Sequence, residues 1–150
     1  MQNSNHTGEA RLRVRYAETD KMGVVYHANY IVWFEVGRVE FLRQLGFEYR
    51  LMEQEDDCHI AVAEVRCRFK APARYDDEIL VRTRVKHVRG PLIQFEYEIF
   101  QERTKTLLAE GESTHIVVNS KFERTTLPLK YAEAFERALI QENERQTNGD

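Results

Sequence analysis

Residues 16–45 read YAETDKMGVVYHANYIVWFEVGRVEFLRQL, a turn-forming segment followed directly by a strongly apolar one. Asn29 is a good N-cap residue, and apolar side chains recur from Tyr30 to Leu45 over an arc wider than a surface helix needs. Gly46 follows at the position where helices commonly end. The stretch therefore predicts a long helix that is largely enclosed by other structure.

The turn ahead of this helix contains Asp20, the first candidate for a reactive side chain. The start of a helix offers unpaired backbone N–H groups and a partial positive charge, which could polarise a carbonyl group held there. A carboxylate within reach could attack that carbonyl or activate a water molecule. Asp20 could also simply close an Asx-turn or favour the positive end of the helix. If Asp20 is reactive, the arrangement suits hydrolysis of an activated acyl compound.

Alternating apolar and polar residues predict strands in much of the remaining chain. Residues 11–16 predict the first strand. The alternation in residues 60–69 changes parity, which predicts a β-bulge near Ala63 or Glu64. Residues 105–119 predict a long strand, one face of which is mostly small: Ala109, Gly111, Ser113, His115 and Val117. Small residues on that face would let a sheet pass close to a helix.

Two alternating segments on either side of Gly90 predict a hairpin whose register follows from the sequence. Because the apolar residues must share a face, a turn centred on Gly90 pairs Arg84 with Glu96 and Arg82 with Glu98. Each opposite-charge pair contributes ~0.2–1 kcal/mol. The sum of these elements predicts an α+β domain, in which a five-stranded antiparallel sheet is wrapped around one long central helix.

The composition fits one globular domain. A chain of 150 residues that is 42% hydrophobic can bury a real core, and a net charge of −3 gives no reason to expect nucleic acid as a partner. No apolar run approaches the roughly 20 residues that a membrane span needs, and the beginning of the sequence does not resemble a signal peptide. With two cysteines expected as free thiols, a cytoplasmic protein is predicted. We expect loose ends at residues 1–9 and 142–150, around a single domain at 10–141 that ends in a short helix after Pro128.

The segment at residues 20–30, DKMGVVYHANY, resembles the motif of the hotdog-fold acyl-CoA thioesterases. The likeness is to the branch of hydroxybenzoyl-CoA thioesterase and the Tol–Pal-associated acyl-CoA thioesterases. Residues 69–78, FKAPARYDDE, support it, and the order of predicted elements agrees from about residue 11 to residue 118. The resemblance implies a hotdog fold whose sheet encloses the helix. It also implies a homo-oligomer, a dimer or homotetramer, with subunits paired edge to edge and active sites at the dimer interface.

The resemblance further implies an acyl-CoA thioesterase that releases a free acid and coenzyme A. Asp20 would be the catalytic carboxylate, acting as nucleophile or as general base on water. A backbone N–H near His27 would polarise the thioester carbonyl. The His27 side chain could orient the substrate or Asp20, or donate a hydrogen bond to the carbonyl, or it could be satisfied by backbone groups at the helix start. Neither a metal nor a redox cofactor is expected, and coenzyme A enters as part of the substrate.

Further residues are predicted to shape the substrate site. Gly23 would permit a tight turn and admit the acyl group close to the backbone. Val24 and Val25 would be core or pocket wall, and Tyr26 would pack or line the acyl pocket. The phosphates of coenzyme A need basic contacts, although each basic candidate could instead be solvated surface charge. These candidates are Arg74, Arg89, Lys121 and Arg124.

Two other functions remain open at the level of sequence. A hotdog dehydratase acting on hydroxyacyl thioesters could use Asp20 and His27 as its acid/base pair. A non-catalytic acyl-binding module would keep the fold without turnover. The acyl group itself, whether aryl, short-chain or long-chain, cannot be inferred from the residues.

Overall fold

Five antiparallel strands form one sheet, and a long helix packs against it. The computed structural model describes residues 8–46 and 48–148, with side chains to residue 146. The strands are β1 (Glu9–Arg13), β2 (His59–Phe69), β3 (Glu78–Arg89), β4 (Leu92–Gln101) and β5 (Leu107–Val118), in the spatial order β1-β3-β4-β5-β2. The helices are α1 (Ala28–Gln44), α2 (Tyr49–Asp56) and α3 (Leu129–Asn148), with a 3-10 turn at Tyr16–Glu18. The predicted α+β architecture with one five-stranded antiparallel sheet is confirmed.

Helix α1 meets the sheet through large buried side chains and one glycine. Trp33 and Phe34 are each 1% exposed. A Cβ atom at Gly37 would lie 2.6 Å from Thr83 Oγ1 and 2.6 Å from Val81 Cγ1 on β3. Because no side chain fits in that space, glycine at this position allows the helix to approach β3 closely.

The expectation that α1 is largely enclosed by other structure does not hold for one face of the helix. Ile31, Val32 and Val36 are 37%, 48% and 41% exposed. Beside Val36 a groove of about 590 Å³ runs between α1 and β1. The width of the apolar arc indicates how much of the helix surface favours burial. It does not indicate whether residues of this chain or of another chain cover that surface.

The β3–β4 hairpin agrees with the predicted register over most of its length. Arg84 pairs with Glu96 and Arg82 pairs with Glu98, as predicted. Arg84 Nε donates a 2.8 Å hydrogen bond to Glu96 Oε1. Near the tip, the register shifts by one residue at Lys86, and the turn itself is formed by residues 90 and 91. The predicted centre at Gly90 is therefore right for the pairs before Lys86 and not for those at the tip.

The predicted β-bulge in β2 is confirmed. Val62 pairs with His115 and Glu64 with Thr114, so Ala63 has no partner on β5. Before this bulge the even-numbered Ile60 packs against the core, and after it the odd-numbered Val65 and Cys67 do so. The small face of β5 is also confirmed, because Ala109, Ser113, His115 and Val117 are all buried.

The two ends of α1 differ in how well they were predicted. Asn29 is not the N-cap: α1 begins at Ala28, and His27 occupies the cap position without a capping side-chain hydrogen bond. The Asn29 side chain instead donates to the backbone oxygen of Glu18 at 3.0 Å. At the other end Gly46 has φ +102°, the left-handed conformation that ends many helices, as predicted.

The first strand ends earlier than predicted. β1 stops at Arg13 because the chain then enters the 3-10 turn that contains Tyr16. β1 also begins at Glu9, so the predicted domain boundary at residue 10 falls inside a strand. Residues 1–7 of the predicted loose start lie outside the described part of the chain.

The C-terminal helix is longer than predicted. α3 has 20 residues and extends into the segment that was expected to be loose, as far as Asn148, whereas residues 149 and 150 lie outside the described part of the chain. Tyr131, Phe135 and Ala138 form its buried stripe, and the residues that follow are mostly good helix formers. None of the helices within residues 8–46 and 48–148 is long and apolar enough to cross a membrane.

Candidate active site

The motif folds as a short hairpin that leads into α1. Tyr26 N–H donates to Glu18 O at 2.8 Å, and Asp20 N–H donates to Val24 O at 2.9 Å. Gly23 N–H closes the turn onto Asp20 O at 3.0 Å. Gly23 has φ +82°, so the predicted need for a left-handed turn residue is met. The hairpin places Asp20 on one arm and the approach to the helix on the other.

One oxygen of the Asp20 carboxylate is held locally and the other is not. Met22 N–H donates to Asp20 Oδ1 at 2.8 Å, which is the predicted Asx-type contact. No described residue donates a hydrogen bond to Asp20 Oδ2, and the side chain is partly exposed. The local turn contact therefore leaves one oxygen of the carboxylate without a donor among the described residues.

The start of α1 presents unused backbone donors. Asn29 N–H donates to Tyr26 O at 2.9 Å, and Tyr30 N–H donates to His27 O at 3.2 Å. The backbone N–H groups of His27 and Ala28 make no hydrogen bond to any residue that the structure describes. Two adjacent free donors at a helix start can bind a developing oxyanion.

The His27 side chain is exposed and lies among aromatic rings. Its ring centroid is 4.5 Å from that of Tyr26 and 6.1 Å from that of Phe69. The imidazole has no hydrogen-bond partner among the described residues. The alternative in which backbone groups satisfy the imidazole therefore finds no support among the described residues, and the side chain is available to a substrate.

The three motif residues around the turn have different surroundings. Val25 is 4% exposed, and its N–H donates to Ala73 O at 2.8 Å, so it belongs to the core. Val24 is partly exposed and forms a bridge with Arg74. Tyr26 is 49% exposed, which does not fit a packing residue within one protomer. Val24 and Tyr26 remain candidates for contact with substrate.

The four basic candidates do not meet in one protomer. Arg74 lies beside the motif through its bridge with Val24. Arg89 lies at the far end of β3, whose 12 residues extend roughly 35 Å from the motif side of the sheet. Lys121 and Arg124 lie at that far end too, because Arg124 bridges Val118, the last residue of β5. One chain therefore does not bring all four together, and their contacts with coenzyme A stay predictions.

Glu18 is the residue of this site that sequence reasoning missed. The residue is 5% exposed, and its carboxylate accepts hydrogen bonds from Arg15 N–H at 2.8 Å and from Trp33 Nε1 at 3.1 Å. Desolvation raises the pKa of Glu18, but the hydrogen bonds from the Arg15 backbone, Trp33 and the Arg15 guanidinium outweigh it, and the pKa is lowered. A carboxylate in a Tyr-Ala-Glu-Thr-Asp segment gives no sequence signal of burial, and only its fixed spacing from Trp33 could have suggested it.

Exposed apolar side chains surround the hairpin. They are Tyr16, Met22, Tyr26, Phe69 and Tyr75, all between 49% and 82% exposed. Tyr16 and Tyr75 contact each other edge to face, with ring centroids 5.8 Å apart. An apolar rim around an ionisable group fits a site that closes against a ligand or another chain. This fold, with a carboxylate in the hairpin that leads into α1 and free donors at the helix start, fits the predicted class of hotdog thioester hydrolases.

Comparison with known proteins agrees with this class. Residues 14–139 match the Thioesterase-like superfamily, and the chain belongs to it. The chain is 35% identical to YneP of Bacillus subtilis, over 87% of this chain and 91% of YneP. It is 32% identical to the acyl-CoA thioester hydrolase YbgC of Escherichia coli, over 84% of this chain and 93% of YbgC. The predicted hotdog fold and the predicted enzyme class, thioester hydrolase, are confirmed.

A solved structure supports the same conclusion. The DHNA-CoA thioesterase from Staphylococcus aureus superposes on this chain with a TM-score of 0.86 and 32% identity, covering 91% of this chain and 93% of that one. The family and the presence of a YbgC relative support the predicted resemblance at the level of the superfamily. The narrower branch, the catalytic residues and the oligomeric state stay predictions.

Proposed function

We propose that the protein is an acyl-CoA thioesterase in which Asp20 acts on the thioester carbonyl while the N–H groups of His27 and Ala28 hold the carbonyl oxygen. One observation carries this proposal: the hairpin joins a carboxylate oxygen without a protein donor to a helix start with two free donors. Those are the two functions that thioester hydrolysis needs, a nucleophile or base and an oxyanion site.

Two routes are chemically balanced at this site. Asp20 can attack the thioester carbon, expel the thiolate of coenzyme A and form a mixed anhydride that water then hydrolyses. Alternatively, it can take a proton from water as that water attacks, and the tetrahedral intermediate then expels the thiolate. A thiolate is a good leaving group, so neither route requires a strong general acid.

A homodimer formed through β2 would complete the site. β2 is an edge strand, since it pairs only with β5. At its start the Tyr49 hydroxyl bonds to both Ile60 N and Ile60 O at 3.0 Å, which leaves the edge open from about residue 61 to Phe69. An open edge of this length favours pairing with a second strand.

Antiparallel pairing of two β2 edges has a consequence for the basic residues. The start of one β2 would lie beside the end of the other. His59 at that start pairs with Val118, next to the loop at residues 119–124, whereas Phe69 at the other end contacts His27. Lys121 of the partner subunit and Arg124 of the partner subunit would thus approach the motif and could bind the phosphates of coenzyme A.

The direct test compares wild type with Asp20→Asn on a panel of acyl-CoAs with free-thiol detection. The panel contains acetyl, hexanoyl, palmitoyl, benzoyl and 1,4-dihydroxy-2-naphthoyl thioesters. We expect kcat to fall by at least about 100-fold, because the amide can neither attack nor accept a proton. Folding should be unchanged, since the amide oxygen keeps the Met22 contact. Asp76→Asn, at another exposed loop aspartate, is the matched control.

Three results would defeat the proposal. Equal rates for wild type and Asp20→Asn would remove Asp20 from the chemistry. Thioester binding without thiol release would indicate an acyl-binding module, and loss of enoyl absorbance from a crotonyl thioester without thiol release would indicate a dehydratase.

Mixed dimers test whether the site is shared between subunits. Asp20→Asn protomers are mixed with protomers carrying Lys121→Ala and Arg124→Ala, and the subunits are exchanged. If the partner supplies the basic contacts, each mixed dimer regains one intact site, and activity rises above that of either parent. No regain would show that Lys121 and Arg124 do not act across the interface.

A further inference from the structure

Glu18 connects the reactive hairpin to the centre of the molecule. Its carboxylate bonds to Trp33, which lies in the second turn of α1 and is 1% exposed. Its backbone oxygen accepts both Tyr26 N–H at 2.8 Å and Asn29 Nδ2 at 3.0 Å. One residue therefore holds the buried helix, the helix start and the second arm of the hairpin.

These contacts have no counterpart elsewhere in the segment. Within residues 8–46 and 48–148, side chains of α1 form hydrogen bonds to residues 15–22 only at Glu18. Asp20 lies two positions further along the same arm. Any change in where Glu18 sits is thus passed to Asp20 through a single intervening residue.

We infer that Glu18 is a positioning residue, whose buried carboxylate fixes the Asp20 hairpin against the start of α1. This inference rests on the proposed function of Asp20 only for its effect on rate, and the effect on the hairpin can be measured separately. A buried carboxylate is costly unless its charge is hydrogen-bonded, so a group of this kind is held in one place by its donors.

A local role for Glu18 is the main competing interpretation. Glu18 accepts from Arg15 N–H three residues earlier, which caps the 3-10 turn by itself. The Trp33 contact is different, because it joins residues 15 positions apart in the chain. A capping role would not require a carboxylate that reaches into the core, whereas a positioning role depends on that contact.

The test replaces Glu18 by glutamine, which has nearly the same shape. The amide nitrogen cannot accept a hydrogen bond, so either the Arg15 or the Trp33 contact is lost. Trp33 is the only tryptophan of the chain, so the tryptophan emission of the protein comes entirely from the side chain that makes this contact. We expect a changed emission spectrum in Glu18→Gln and faster amide exchange at Asp20 and Tyr26.

The rate measurement adds a readout that a capping role would not change. Displacing a reactive group by about 1 Å can lower the rate by up to ~100-fold, and we expect Glu18→Gln to lower kcat by at least about tenfold with little change in KM. Glu133→Gln, an exposed glutamate on α3, is the control. Asn29→Ala, which removes a second tie to Glu18 without touching the carboxylate, should lower kcat in the same direction.

The possible outcomes separate the two proposals. Unchanged emission, exchange and kcat in Glu18→Gln would overturn the positioning role, as would normal kcat in Asn29→Ala if Glu18→Gln does not fold. If wild type releases no thiol from any acyl-CoA, the proposed function fails. In that case emission and amide exchange still decide whether Glu18 fixes the hairpin.

Discussion

The ring of Phe34 on α1 occupies the space that a side chain at Gly111 on β5 would need. A Cβ atom at Gly111 would lie 2.8 Å from Phe34 Cζ and 2.1 Å from the backbone oxygen of Arg66 on β2. Phe34 in turn stacks on Tyr97 with centroids 4.3 Å apart and an interplanar angle of 10°. This contact brings the central helix and three strands together at one point.

Gly111→Ala should destabilise the protein. The added methyl group meets backbone on one side and a stacked ring on the other, and overpacking of this kind costs roughly 1–3 kcal/mol. Chemical denaturation followed by circular dichroism measures the change in the free energy of unfolding. Glu110→Ala, at the adjacent and partly exposed position, is the control and should change it much less. A Gly111→Ala protein as stable as wild type would contradict the close contact.

His115 should make the protein sensitive to mild acid. Desolvation, and to a lesser extent the nearby charge of Arg38, lowers the pKa of His115 from 6.5 to about 3. Below pH 6.5 the unfolded chain binds a proton at His115, whereas the folded protein leaves this imidazole neutral. This contribution to stability is therefore complete above pH 6.5 and is lost progressively as the pH falls towards about 3. Unfolding free energies at a series of pH values should show this slope in wild type.

The variant His115→Leu identifies the source of that slope. Ser113 Oγ lies 2.7 Å from His115 Nε2 but also 2.6 Å from the Tyr97 hydroxyl, so it keeps a partner when the imidazole is removed. We expect the part of the slope due to His115 to disappear. The same slope in His115→Leu as in wild type would assign it to other groups.

The two thiols should react slowly in the folded protein. Burial raises the pKa of Cys58 and of Cys67 to about 11, and Asp56 and Asp57 add to the shift at Cys58. Since the thiolate is the reactive form, labelling with a disulfide reagent at pH 8 should be slow and should accelerate as the pH rises. Both thiols should react quickly in denaturant. Rapid labelling of the native protein at pH 8 would contradict the burial of these groups.

A charge on the open edge of β2 should weaken the proposed dimer. Val62 is 55% exposed on β2, and Ile140 is 54% exposed on α3, so the two positions form a matched pair. We expect sedimentation to show a dimer or larger assembly for wild type and Ile140→Lys, and a shift towards monomer for Val62→Lys. Equal behaviour of the two variants would place the interface elsewhere.

Local chemistry explains which parts of the fold could be predicted. The Arg84–Glu96 pairing, the bulge at Ala63 and the helix end at Gly46 each depend on residues close in sequence or on one strand pair. The true end of α3 could not be placed, because a polar helix with good intrinsic propensity and a polar loose tail look alike in sequence. The end of β1 was missed for a related reason, since Tyr16 continues the alternation although the chain has already turned.

The candidate site shows the same division. Asp20, Gly23 and the helix start could be located from a short continuous segment. The burial of Glu18 could not, because it depends on Trp33 arriving from the next helix. Arg74 and Arg89 lie far apart because Arg74 precedes β3, where it bridges Val24, whereas Arg89 is the last residue of that strand.

Ala63 on β2 and Lys86 on β3 are two of the three strand residues that the register shifts of the sheet leave without a partner, and the third is Leu108 on β5. Removing Ala63 would join Val62 and Glu64 into a regular strand in which each keeps its present partner on β5. Removing a paired residue instead would move every later side chain of the strand to the opposite face of the sheet. Single-residue deletions that arise during divergence should therefore be retained at Ala63 and Lys86 and rejected at neighbouring positions.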